Sequence, residues 1–204
     1  MGGHAHYVSP SAATPLRSND NSHCSGAVVE DAMPAPETVT PDKKLAAVCG
    51  LFCPGCHVYQ ATQAGPAQLE KLAQRFQRTV DEVTCHGCRS TRRCFFCEQL
   101  CTFVACAARK GVEFCGLCAD YPCAELETFR AAAPHRLDLP RAHAAIREQG
   151  WDAWFRNMAV RYACPDCGIL NSAYDLACRA CGRTPGSAFV EEHGDRIREH
   201  LARR

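Results

Sequence analysis

Cys164-Pro165-Asp166-Cys167 is followed, after ten residues, by Cys178-Arg179-Ala180-Cys181-Gly182. Two Cys-x-x-Cys pairs at this separation suit a four-thiolate tetrahedral site, because each pair bends the backbone until two sulfurs face one metal. The pattern predicts a zinc ribbon over residues 161–190. Gly168 to Ala177 would form its short hairpin, covered by Tyr174 and Leu176. Zinc is the expected ion, and rubredoxin-like iron takes the same ligands. Working outward, the chain holds 17 cysteines in 204 residues, and twelve more of them lie between Cys49 and Cys123. These are Cys49, Cys53, Cys56, Cys85, Cys88, Cys94, Cys97, Cys101, Cys106, Cys115, Cys118 and Cys123. With Cys164, Cys167, Cys178 and Cys181 they are the candidate metal ligands.

Composition favours metal over disulfide. Phe, Tyr and Trp total only 8 % and cysteine supplies much of the 47 % apolar content, which predicts a thin core in need of staples. Disulfides require an oxidising compartment and usually a secretory leader. Residues 1–13 have no apolar run, and no stretch reaches the length of a membrane span. A cytoplasmic protein with reduced cysteines is expected. The formal charge of +1 counts thiols as neutral. Sixteen thiolates on four divalent ions would carry eight net negative charges, taking the chain to about −7. A chain so charged is not expected to capture nucleic acid by bulk electrostatics, and a protein is the expected partner.

Along the chain, residues 1–42 are rich in Ser, Ala and Pro and predict a disordered tail in which Cys24 is an incidental thiol. His4, His6 and His23 are not expected to bind metal there. A cysteine-rich multi-metal domain follows over 43–135. Pro66 to Val80 reads as a packing helix, with Leu69, Leu72, Ala73, Phe76 and Val80 on one stripe. Short helical turns are expected at Thr102–Lys110 and Ala124–Ala132. A connecting amphipathic helix is expected over 136–160, kinked near Gly150. Its stripe of Trp151, Trp154, Phe155 and Met158 must find a partner surface, which is the cysteine-rich core, the ribbon or another protein. Residues 191–204 read as a charged tail, a solvated helix or a fray. The fold class expected is a small metal-stabilised, mainly irregular and α-helical cysteine-rich domain plus a C-terminal zinc ribbon.

Lys44-Leu-Ala-Ala-Val-Cys49-Gly50-Leu51-Phe52-Cys53-Pro54-Gly55-Cys56 resembles the opening of the DUF3795 domain proteins. Cys85-His-Gly87-Cys88-Arg89-Ser90 resembles that family's second motif. Cys106-Ala-Ala-Arg-Lys110-Gly111-Val-Glu-Phe-Cys115-Gly-Leu-Cys118-Ala-Asp-Tyr121-Pro122-Cys123 resembles its closing motif. The resemblance covers about 43–130 and implies a soluble, metal-bound protein with no established reaction. Cys94, Cys97 and Cys101 are candidates for thiols that simpler members lack.

Twelve core cysteines make three sets of four, and zinc alone or zinc with iron–sulfur clusters would satisfy them. Cys49-x3-Cys53-x2-Cys56 has the spacing of a radical-SAM cluster, but the chain lacks the strand–helix repeat and length of the accompanying barrel. Ferredoxin spacing is approached only by Cys94-x2-Cys97-x3-Cys101. Arg89, Arg92 and Arg93 would offset thiolate charge, activate a thiol or bind an anion. His57 and His86 adjoin ligand cysteines and read as supporting residues rather than ligands. No phosphate loop, HExxH or GxSxG is present. The leading reading is a metal-binding adaptor or binding module. An iron–sulfur electron-transfer or redox protein is the alternative, and a thiol- or metal-dependent enzyme ranks third. Neither a small-molecule substrate nor catalytic residues are indicated.

Overall fold

The chain folds as helices joined by tight cysteine-bearing turns. The computed structural model describes residues 39–203. Cys24, His4, His6, His23 and most of the expected tail lie outside the described residues. Eight α-helices are found among those described: α1 (His57–Ala64), α2 (Pro66–Phe76), α3 (Val80–Val83), α4 (Phe103–Lys110), α5 (Ala124–Ala131), α6 (Leu139–Gln149), α7 (Trp151–Tyr162) and α8 (Ala188–Ala202).

Among these residues no β-strand forms, and the expected zinc ribbon is therefore absent. Only two isolated bridges occur, Ala46 with Phe52 and Ala163 with Leu170. Side chains explain why the segment between the last two cysteine pairs does not become a hairpin. The Asp175 carboxylate accepts from the Ser172 amide at 2.7 Å, and the Ser172 hydroxyl accepts from the Tyr174 amide at 3.2 Å. Asn171 donates to the Gly186 carbonyl at 2.7 Å and accepts from the Arg179 amide at 3.1 Å. These short polar side chains take the hydrogen bonds that a ladder would need.

The helical stripe from Pro66 also ends earlier than its apolar spacing suggests. Gln77 adopts a left-handed conformation (φ 52°), and its amide closes α2 on the Ala73 and Gln74 carbonyls. Thr79 then opens α3. Its hydroxyl accepts from the Glu82 amide, and Glu82 returns a bond to the Thr79 amide at 2.9 Å. This capping box starts a second helix where the first was expected to run on, and Val80 is left exposed. Helix α1 was not anticipated. It begins directly after Cys56 and stops at Gly65, whose φ of 96° no ordinary residue adopts readily.

The expected connecting helix is two helices. Gly150, at φ 85°, separates α6 from α7, and the two pack against each other. Trp154, Phe155 and Met158 of α7 are buried, and Trp151 is partly so. They meet Phe52, which sits inside the Cys49–Cys56 loop, with ring centroids 6.4 Å apart for Trp154 and 4.9 Å for Phe155. Phe114, beside Cys115, contacts Trp154 at 6.4 Å. The stripe thus packs on the cysteine-rich region.

The expected charged tail lies in helix α8, which is packed on one face rather than solvated all round. Phe189, Val190 and Ile197 are buried on it, and Phe189 stacks on Tyr162 at 4.9 Å. The aromatic cluster these helices build is larger than composition alone suggested, because half of the chain's Phe, Tyr and Trp side chains converge on it.

Gly55 marks the closest approach between the cysteine loops and α7. A Cβ there would lie 2.6 Å from the Tyr162 ring, which is itself held against Phe189. Gly55→Ala is expected to cost about 1–3 kcal/mol through overpacking. An unchanged urea midpoint for this variant would show that the ring can move aside.

Candidate metal centres

Two matching turns place the C-terminal cysteines. The Gly168 amide returns to the Cys164 carbonyl, and the Gly182 amide to the Cys178 carbonyl, each at 2.9 Å. Cys164 and Cys181 bring their sulfurs to 3.6 Å, as do Cys167 and Cys178. All four sulfurs lie within 4.8 Å of one another. Four thiolates about 2.3 Å from one zinc in a tetrahedron sit about 3.8 Å apart, so this donor set fits a single ion. A disulfide would need about 2.05 Å.

Within the set, the surroundings of Cys178 favour its thiolate, whereas Cys167 and Cys181 are raised. Burial weighs against ionising Cys178, but the amides of Cys181 and Ala180, the Asn171 side chain and the Cys167 thiol hold it down to about 6. The Ile169 amide favours the Cys167 thiolate. Burial and the thiols of Cys178, Cys181 and Cys164 nonetheless push Cys167 up to about 12. A cation bound among the four sulfurs would offset the charge that holds Cys167 up. The nearby arginines are engaged elsewhere. Arg179 donates to the Leu170 carbonyl at 2.9 Å, and Arg183 pairs with Asp166 at 2.7 Å.

A second cluster, Asp138, Glu192 and His193, was invisible in sequence, where Asp138 is far from the adjacent pair Glu192 and His193. His193 Nε2 lies 2.8 Å from Asp138 Oδ1. Arg161 pairs with both carboxylates, and Arg141 reaches Glu192 at 2.8 Å. Hydrogen bonds from Arg141 and Arg161 hold the Glu192 carboxyl down to about 2. Two guanidinium groups thus neutralise the two carboxylates, and the cluster reads as an ion-pair clasp joining α8 to α6 and α7.

The twelve core thiols are grouped more loosely. Among the described residues, no three of them have sulfurs all within 4.8 Å of one another. Cys85 and Cys94 are buried among Val58, Leu69, Leu72, Val83 and Phe95, with Cys56 and Cys97 packed on the same cluster. Cys49 and Cys88 share another cluster with Cys53 and Cys101, against Phe103, Leu126 and Leu139. Cys106, Cys115, Cys118 and Cys123 line a cavity of about 190 Å³. The first turn of α1 lies over Cys56, with the Tyr59 and Val58 amides directed at its sulfur. Residues 45–128 match the DUF3795 family. That family is described as a protein of unknown function. The DUF3795 match takes in all twelve core cysteines and ends within α5, so the C-terminal four lie beyond it. No curated protein and no solved structure matches the chain.

The remaining polar candidates have structural partners. Arg89 donates to the Ala46 carbonyl at 2.8 Å and lies over the Phe114 ring. Arg92 pairs with Asp81, and Arg93 with Glu98 at 2.6 Å. His57 packs against Phe76 and Tyr174. His86 is exposed beside Lys44 and Arg92 at a surface hollow. His143 is fully buried, and its Nε2 meets the Cys49 carbonyl at 2.9 Å. Burial lowers its pKa to about 4 and keeps the ring neutral. Sequence reasoning missed it, although Leu139, Ala142 and Ile146 place His143 on the buried stripe of α6 at helical spacing.

Proposed function

We propose that this chain is a metal-stabilised binding or adaptor protein, with zinc on Cys164, Cys167, Cys178 and Cys181. The observation that carries the reading is the 3.6 Å approach of two sulfur pairs within one four-thiol set. Zinc supplies no redox chemistry there and acts by tying the two turns together. The adaptor role draws support from the surroundings of the thiols, which are apolar side chains and backbone amides. Phe96, Leu100 and Val80 are exposed on the neighbouring surface and offer contact area to a protein partner. No described helix is long and apolar enough to cross a membrane.

The iron–sulfur electron-transfer reading keeps one specific support. A four-iron cluster binds each thiolate to a different iron and so holds sulfurs farther apart than a single ion does. Among the described residues no three core thiols lie within 4.8 Å of one another, which is compatible with such a cluster. Metal analysis together with a visible spectrum separates the readings. About four zinc equivalents and a colourless protein are expected. Brown protein with stoichiometric acid-labile sulfide would overturn zinc in the core.

Cys164→Ser tests the C-terminal site alone. It is expected to remove about one metal equivalent of four, because three thiols and a hydroxyl hold zinc poorly. Loss of every metal, or of none, would contradict a self-contained ligand set.

A further inference from the structure

We infer that the twelve core cysteines form three separate four-thiolate metal sites: Cys49, Cys53, Cys88 and Cys101; Cys56, Cys85, Cys94 and Cys97; and Cys106, Cys115, Cys118 and Cys123. The inference rests on the metal-binding reading and goes beyond it, because two Cys-x-x-Cys pairs are divided between sites. Cys53 and Cys56 part company, and so do Cys85 and Cys88.

Packing carries the assignment. Cys56, Cys85, Cys94 and Cys97 belong to one apolar cluster that includes no other cysteine. The cavity lined by Cys106, Cys115, Cys118 and Cys123 likewise includes no other. The four that remain, Cys49, Cys53, Cys88 and Cys101, all belong to a single cluster. That cluster also touches Cys115 and Cys123 at its edge. Both of them line the cavity as well, together with Cys106 and Cys118, which belong to none of the apolar clusters and so need them as partners.

The local backbone explains the division. Cys53-Pro54-Gly55 is one tight turn, and Cys56 already stands at the entrance to α1. The turn aims Cys53 at Cys88, while α1 carries Cys56 toward Cys85. The first two sites are therefore interleaved along the chain and stand side by side. The third is local, contained between α4 and α5. Filling each site releases the protons of its thiols to solvent and leaves a complex of one ion, or one cluster, with four thiolates.

The test uses the full chain loaded with NMR-active cadmium, read by cadmium–proton correlation to the cysteine β-protons. Three core cadmium signals are expected, each coupled to the four cysteines of one site. A cadmium coupled to both Cys53 and Cys56, or to both Cys85 and Cys88, would overturn the division. A chain that takes up no cadmium and is purified without metal would instead sink the metal-binding reading itself. Should the chain carry iron and sulfide, paired substitutions answer the same question. Cys53→Ser with Cys88→Ser should lose no more iron than either alone, whereas Cys53→Ser with Cys56→Ser should lose twice as much. An equal loss for the second pair would refute the inference.

Discussion

Cys53→Ser will remove a core metal and with it the cooperative melt of the chain. Cys53 lies in the turn that joins the Cys49–Cys56 loop to α1 and takes the Cys88 amide at its sulfur. Serine there leaves an incomplete ligand set and strands buried thiols whose charge nothing offsets. A structural zinc supplies an apparent 10–16 kcal/mol, roughly the whole net stability of a domain of this size. Insoluble protein or a broad melt is therefore expected, accompanied by loss of metal. Cys118→Ser should do the same from the cavity near α4 and α5. A sharp, wild-type-like melt by calorimetry with unchanged metal content would show that the residue replaced is not a ligand.

Phe155→Ala should be nearly as damaging by a different route. Phe155 is fully buried, edge-on to Phe52 at 4.9 Å and to Trp154 at 6.2 Å. Truncating a ring in such a place costs about 3–5 kcal/mol, the sum of lost burial and an unfilled cavity. Metal content should stay near wild type in the folded fraction, which separates this effect from that of Cys53→Ser. In the parent protein, Trp154 should fluoresce at short wavelength and resist quencher, while the partly buried Trp151 should remain reachable. A melt within about 1 kcal/mol of wild type, well below what a core ring-to-alanine change costs, would mean that α7 is not anchored through this ring.

What could be read from the sequence follows how local each feature is. The C-terminal four thiols were legible because two short turns bring them together. The hairpin expected to accompany them was not there, since Asn171, Ser172 and Asp175 compete for the backbone bonds. The aromatic stripe of α7 was legible as a buried face because a helix repeats its pattern within a few residues. Its partner ring, Phe52, could not be paired with it from spacing alone. The capping box at Thr79 and Glu82 was present in the letters and was outweighed by an apolar stripe that continued past it. The clasp of Asp138, Glu192 and His193 offers no sequence signal, because it exists only once α8 has docked. The grouping of the twelve core thiols was not legible, because spacing says that two sulfurs can share a metal and not whether the chain on either side brings them to the same one.

Phe52 stands between Cys49 and Cys53 in sequence and between the metal region and α7 in space. With an ion on the neighbouring sulfurs, its occupancy and the seating of α7 obey one mass-action law. Each tenfold fall in free metal would then withdraw about 1.4 kcal/mol per site from the helices as well as from the loop. Starvation for metal would be felt as slackening far from any thiol, and degradation of the chain would follow the supply of its ion.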